Sequence, residues 1–297
     1  MQRILIVGAG DVAMRLIPHL TKKFRVFALV RRTDAAATLR VSKVTPIIGD
    51  LDTPTSLTRL SGIADMVFHF APPDTKGATD TRTRHLIAAL ESARSLPQRL
   101  VYISTTGVYG DCAGAWVSET HRVNPATDRA KRRVDAEQQL RAWTARCGVT
   151  LSILRAPGIY GNGRLPEERL RKGTPVLRAE DDVYTNHIHG DDLARISLAA
   201  MFSGQPNRVY HATDYSALKM ADYFDLVADG LNLPRPPRVS RDDAARLLPG
   251  LMLSFMSESR RLTNTRLAKE LAVSLRYPTV ADGLKASIDV KNNESKR

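Results

Sequence analysis

Gly8 and Gly10 stand directly after a short apolar run, and Arg31 and Arg32 close a second one. Residues of these types at this spacing suit a phosphorylated ligand. Gly8 allows a tight turn, and Gly10 lets the backbone approach a pyrophosphate. Asp11 and Val12 open the helix whose N-terminal N–H groups would face it. A third small residue, Ala13, lets that helix pack closely on the strand. A site for an unphosphorylated dinucleotide usually carries Asp or Glu about twenty residues beyond the glycines, to hydrogen-bond the ribose 2′-hydroxyl. Arg31 and Arg32 occupy that place, and guanidinium groups suit a 2′-phosphate. The expected cofactor is therefore NADP(H), with NAD(H) the alternative if Asp34 reaches the ribose. Asp191 and Asp192 form a paired carboxylate, but they precede a helical stretch, where capping and the helix dipole account for them. His69 sits inside an apolar run and reads as a core residue. No metal ligand set is expected.

The elements that must position these residues alternate. Arg3–Val7 is a strand, residues 12–20 a helix and residues 24–30 a second strand, which makes a βαβ unit. Further strands are expected at residues 45–49, 66–71, 99–103 and 149–154, with helices starting near Thr55 and spanning residues 80–94 and 129–145. This pattern predicts an α/β fold, a doubly wound parallel sheet of the Rossmann type, with ligands at the carboxyl ends of its strands. After residue 160 the pattern loosens. Residues 184–200 read as strand into helix, 234–238 as a stiff proline-rich connector, and 242–248 and 264–271 as short helices. Residues 291–297 read as a frayed polar tail. The organisation expected is a dinucleotide-binding domain over residues 1–160, to which 186–212 return. Residues 161–185 and 213–297 would form a smaller C-terminal α/β substrate region.

With 297 residues, 43% of them hydrophobic, the chain can bury a substantial core. No apolar run is long enough for a membrane span, and the first strand follows Met1 too closely for a signal peptide. Cys112 and Cys147 form neither a metal spacing nor a disulfide framework, which fits a reducing cytoplasm. A net charge of +13 invites a nucleic-acid reading. Scattered arginines, few aromatics and the lack of a recognised motif argue against it, and attraction of phosphorylated small molecules explains the charge as well.

Several motifs stand in order along the chain: Val7-Gly-Ala-Gly-Asp-Val-Ala13, Gly49-Asp-Leu51, Phe68-His-Phe-Ala71, Ser104-Thr-Thr-Gly-Val-Tyr-Gly110, Leu154-Arg-Ala-Pro-Gly-Ile-Tyr-Gly161 and His187-Ile-His-Gly-Asp-Asp-Leu-Ala194. With them the chain resembles the extended and atypical short-chain dehydrogenase/reductases, the NAD-dependent epimerase/dehydratase family, from residue 3 to about residue 285. The resemblance implies that Asp50 and Leu51 flank the adenine. It places Phe70, Ala71 and Pro72 at the riboses, Ser104 beside the cofactor, and Pro157 to Ile159 along the nicotinamide. Thr105 matches the active-site Ser/Thr, while Asn186 and the loop 184–189 would face substrate. Val7 and Ala13 replace two glycines of the extended pattern, which moves the chain toward the atypical branch. The resemblance also implies pairing of two copies through helices that include residues 129–145. The charge of that segment weighs against the usual hydrophobic interface.

One part of the family pattern is missing. The Tyr-x-x-x-Lys helix normally lies between a proline and a glutamate that Pro125 and Glu137 match. Arg129 and Arg133 stand where its tyrosine and lysine are expected. Arginine cannot exchange a proton near neutral pH, although Arg133 could still hydrogen-bond the nicotinamide ribose. Tyr109, a few residues beyond Thr105, is the substitute acid nominated against an ordinary packing role. Tyr184, His187 and His189 are further candidates, with a structural histidine bonded to backbone as the alternative for the last two. The expected function is an NAD(P)-dependent oxidoreductase or nucleotide-sugar-type epimerase, dehydratase or reductase. Its substrate would be a small molecule, phosphorylated or nucleotide-linked. The competing expectation is a non-catalytic NADP(H) sensor or interaction protein.

Overall fold

A computed structural model of the chain describes residues 1–294. Seven parallel strands form its central sheet. They are β1 (Arg3–Val7), β2 (Arg25–Val30), β3 (Thr45–Ile48), β4 (Met66–His69), β5 (Arg99–Thr105) and the strands Thr150–Ala156 and Arg208–His211. From one edge the order is Arg208–His211, Thr150–Ala156, β5, β4, β1, β2, β3. The chain thus winds outward from β1 in both directions, the doubly wound arrangement expected from the sequence.

Both faces of the sheet are covered, so its central strands are apolar throughout. Ile4 and Ile6 of β1 pack with α1 (Asp11–Leu20) and the helix Gly190–Ser203 on one side. Leu5 and Val7 face the other side, where α3 (Thr81–Glu91) and α4 (Asp128–Cys147) contribute Leu86, Ala136, Leu140 and Trp143. A third core gathers Tyr160, Val176, Phe224, Val227 and Val280. It lies in a smaller α/β region that includes the helices Met220–Gly230 and Val280–Glu294.

Several boundaries differ from the sequence expectation. β4 ends at His69 because the N–H groups of Phe70 and Ala71 both donate to Val7 O, which turns the chain off the sheet. β5 runs on to Thr105, paired with Ala156. The turn near Thr55 is a 3-10 helix, Pro54–Leu60. Helix α2 (Thr33–Val41) and the seventh strand were not expected. The expected tail divides: the helix Val280–Glu294 takes in its first residues, and 295–297 lie outside the described residues. The helix after His189 is capped by that histidine, whose Nδ1 accepts the Asp191 N–H, rather than by Asp191 or Asp192. Asp191 instead pairs with Arg15, and Asp192 accepts the N–H groups of Arg276 and Tyr277. None of the described helices is long and apolar enough to cross a membrane.

Helix α4 is fastened to the sheet by a buried ion pair. Both side chains of the Arg155–Glu137 pair are 5% exposed, at 2.6 Å. The same carboxylate accepts the Ser104 hydroxyl at 2.6 Å. Removing one partner of such a pair leaves a bare charge in the interior. Glu137→Ala is therefore expected to lower unfolding stability by about 3–5 kcal/mol, read from urea denaturation; a loss below about 1 kcal/mol would show that Arg155 finds water or another acceptor.

Candidate functional site

The first turn of the chain is built by close packing. Gly8 has φ +98°, and a Cβ there would lie 2.5 Å from Ala71 N, so only glycine fits between β1 and the end of β4. At Gly10 a Cβ would meet nothing within 4 Å, and no side chain caps α1 at this residue. The positive end of α1 therefore opens onto free space. The Asp11 carboxylate is held sideways by Arg15, at 3.0 and 3.1 Å.

That space is a cavity of about 590 Å³ along the carboxyl ends of β1, β2 and β4. It brings together Gly8, Gly10, Asp11, Val12, Arg31, Arg32, Asp50, Leu51, Phe70, Ala71, Pro72, Ile159 and Arg133. Its size suits a small-molecule cofactor. Asp34 is not among its lining residues; it is ion-paired with Arg32 through two hydrogen bonds. Arg31 makes no hydrogen bond or ion pair among the described residues. Arg82, which sequence reasoning missed, binds Asp52 at 2.6 and 2.7 Å and the carbonyls of Pro72 and Pro73 at 3.2 Å. It thereby fastens the loop after β4 to the loop after β3. Arg164, also missed, lines the same cavity. Arg82 stands in the first turn of α3 and Arg164 on an irregular segment, and no local pattern marks either.

A second cavity, about 280 Å³, lies against Thr105, Gly107, Arg129, Pro157, Gly158, Tyr184, Asn186, Phe255, Glu258 and Arg260. Three short segments border both cavities. Ile103 faces the first and Thr105 the second; Arg133 the first and Arg129 the second; Ile159 the first and Gly158 the second. The two spaces adjoin at the end of β5. Pro157 thus belongs to the second cavity, one step beyond the wall it was expected to share with Ile159. Arg133 donates to Tyr102 Oη at 3.0 Å and to Ile103 O at 2.7 Å. The Thr105 hydroxyl oxygen accepts the Gly107 N–H at 3.2 Å, which leaves its own proton to be donated elsewhere. Asn186 spans to the C-terminal segment, donating to Arg260 O and accepting the Leu262 N–H.

Other expected residues are placed away from both spaces. Ser104 is buried behind the wall, on Glu137. Tyr109 is 1% exposed and lines neither cavity. Its hydroxyl accepts from Arg155 Nη1 at 2.8 Å and bonds His211 Nε2. Because His211 Nδ1 donates to Thr263 O, Nε2 is the acceptor and Tyr109 gives its proton to it. Burial raises the Tyr109 pKa. His187 is also enclosed, stacked 4.0 Å from Tyr223, and burial lowers its pKa to about 3. Among the described residues, no group of three or more His, Cys, Asp or Glu is arranged to hold a metal.

A family described as NAD(P)H-binding matches residues 8–203. The chain belongs to this family. A curated relative, the 4-hydroxy-2-methyl-3-oxo-4-farnesyl-3,4-dihydroquinoline-1-oxide ketoreductase of Stigmatella aurantiaca, is 26% identical over 246 residues, 77% of this chain and 73% of the relative. A conserved protein of unknown function from Silicibacter pomeroyi DSS superposes with TM-score 0.79 at 29% identity, over 98% of this chain and 99% of the other. The UDP-glucose 4-epimerase of Thermotoga maritima, solved with UDP-glucose, shares the fold with TM-score 0.78 at 16% identity, over 99% of both chains. This NAD(P)H-binding chain thus has the fold of the epimerase/dehydratase group of short-chain dehydrogenase/reductases. The open glycine turn, the uncapped helix and the cationic far wall fit a nicotinamide dinucleotide.

The tight contact at Gly8 makes a direct test. Gly8→Ala is expected to cost about 1–3 kcal/mol of stability, read from thermal unfolding, and to weaken NADPH and NADH alike by at least about tenfold. A variant that binds both cofactors as the parent does would refute the role given to this turn.

Proposed function

We propose that this chain is an NADP(H)-dependent oxidoreductase acting on a small carbonyl or hydroxyl compound. The observation that carries this reading is the junction of the two cavities at the end of β5, where Ile103 and Thr105 face successive compartments. The larger one suits the cofactor and the smaller one the substrate. The ketoreductase activity named for the Stigmatella relative supports carbonyl reduction over epimerisation.

Gly10 and the first N–H groups of α1 would hold the pyrophosphate. Arg31 and Arg32 would take the 2′-phosphate, with Asp50 and Leu51 at the adenine and Phe70, Ala71 and Pro72 at the riboses. Arg133, bonded to the neutral oxygens of Tyr102 and Ile103, would meet a ribose hydroxyl. When bound, the dihydronicotinamide supplies a hydride. The Thr105 hydroxyl orients the substrate oxygen through its free proton. Neither Arg129 nor Arg133 can donate a proton near neutral pH, and Tyr109 is committed to His211. Tyr184 is the phenol that lines the smaller cavity, and we assign the proton exchange to it. A non-catalytic NADP(H) sensor is the second reading, favoured by the arginines on α4 where the family has tyrosine and lysine. Helix α4 would also carry any pairing of two copies.

Two measurements bear on these assignments. An Arg31→Ala/Arg32→Ala protein should bind NADPH at least about tenfold more weakly and NADH unchanged; an undiminished preference for NADPH rejects the arginines' role. On a panel of ketones and aldehydes, Thr105→Ala and Tyr184→Phe should each lower kcat by about 10²-fold or more with NADPH affinity intact. Should the parent protein turn over none of them while binding NADPH, the sensor reading takes over.

A further inference from the structure

The smaller cavity carries an uncompensated positive charge. Its charged lining residues are Arg129, Arg260 and Glu258, two guanidiniums against one carboxylate. Arg260 spends its charge inside the wall, donating from Nη1 to Glu258 Oε2 at 2.9 Å and to Gly110 O at 2.8 Å. Its buried Nε has no hydrogen-bond partner. Arg129 makes no hydrogen bond or ion pair among the described residues. Its guanidinium lies 4.3 Å over the Phe255 ring, a contact that fixes its direction without neutralising it.

Burial, together with the nearby Arg132, Arg133 and Arg260, works against the charge on Arg129, and Glu258 is the group that supports it. A cation held this way in a partly dry pocket is costly unless an anion arrives. The pocket is also small, near the lower limit of about 300 Å³ for small-molecule sites. A planar guanidinium braced on an aromatic ring presents its fork of donors ready for a bidentate acceptor.

We propose that the smaller cavity is an anion-recognition site: its ligand is a compact molecule bearing a carboxylate or phosphate that Arg129 binds, with Arg260 completing the cationic wall. Thr105 stands in the same cavity, so an anchored anionic group sets the distance at which the rest of the molecule meets its hydroxyl. Glu258 serves as the internal counter-charge that the ligand partly displaces. The inference rests on reading this cavity as the substrate site, and it restricts that substrate to small anions.

Isothermal titration of the whole protein with malonate, inorganic phosphate and neutral malonamide tests it, with NADPH titrated separately. The parent should bind malonate or phosphate saturably, with a dissociation constant below about 10 mM, and show no binding of malonamide. The tighter of the two anions identifies the group as carboxylate or phosphate. Arg129→Met should weaken the favoured anion at least about tenfold and Arg129→Lys less, while both retain NADPH binding. If Arg129→Met loses NADPH binding as well, Glu258→Gln decides, since removing the internal counter-charge should tighten the anion about threefold or more. No saturable anion binding by the parent, equal affinity in Arg129→Met, or a Glu258→Gln protein no tighter than the parent would each overturn the proposal. Failure to bind NADPH would instead reject the oxidoreductase reading and leave the anion site standing.

Discussion

Much of the geometry around the two cavities depends on the buried Arg155–Glu137 pair. Glu137 accepts from Arg155 at 2.6 and 3.1 Å and from Ser104 at 2.6 Å, so one carboxylate joins α4 to β5 and to the strand Thr150–Ala156. Such a pair is expensive to bury, and its value lies in the position it dictates. Arg129, Arg133 and Glu137 follow at intervals of four and share one face of α4. With Glu137 anchored, Arg133 reaches the Ile103 carbonyl and Arg129 reaches Phe255. Ser104, anchored from the other side, is the neighbour of Thr105. One salt bridge thus positions one cation of each cavity and the hydroxyl beside them.

Arg129 and Arg133 also show where part of the chain's excess positive charge is spent. Many of its arginines meet carboxylates at the surface, where a pair contributes little. Two on the cavity walls meet neutral partners instead: Arg133 a phenol and a carbonyl, Arg129 an aromatic face. Low-dielectric walls keep such charges from being screened. Part of the net charge of +13 is thus carried on cavity walls rather than on the open surface. This is the physical content of the composition that first invited a nucleic-acid reading.

The dinucleotide half was legible because its constraints are local. A strand, a glycine turn and a helix follow within a few residues, and the steric demand at Gly8 is written into the residue type. The sheet came through its apolar runs. The strand Arg208–His211 did not, since Arg-Val-Tyr-His carries no run and gains strand character only by pairing with Thr150–Ala156. The smaller cavity was less legible for the same reason. Glu258 and Arg260 reach Thr105 across some 150 positions of chain, and no spacing rule connects them. Ser104 and Tyr109 sat in the right motif, yet the direction each side chain takes is decided by Glu137, Arg155 and His211, residues far away in sequence.

The placement of the titratable groups narrows what proton chemistry this fold can support. His69, His187 and His211 are buried, and burial holds each near a pKa of about 3. They stay neutral across the physiological range, His69 against Thr83 and His211 as acceptor of the Tyr109 proton. A group that exchanges protons with a substrate must touch both the substrate and a route to water. The histidines and Tyr109 line neither cavity. Thr105, Tyr184 and Glu258 do line the smaller one; Glu258 is ion-paired with Arg260, and an ionised carboxylate is an acceptor only. A donor is needed for carbonyl reduction, and among these three only the hydroxyls carry one. Thr105 alone is too weak an acid to supply it, so the proposed reduction would draw its proton through Tyr184.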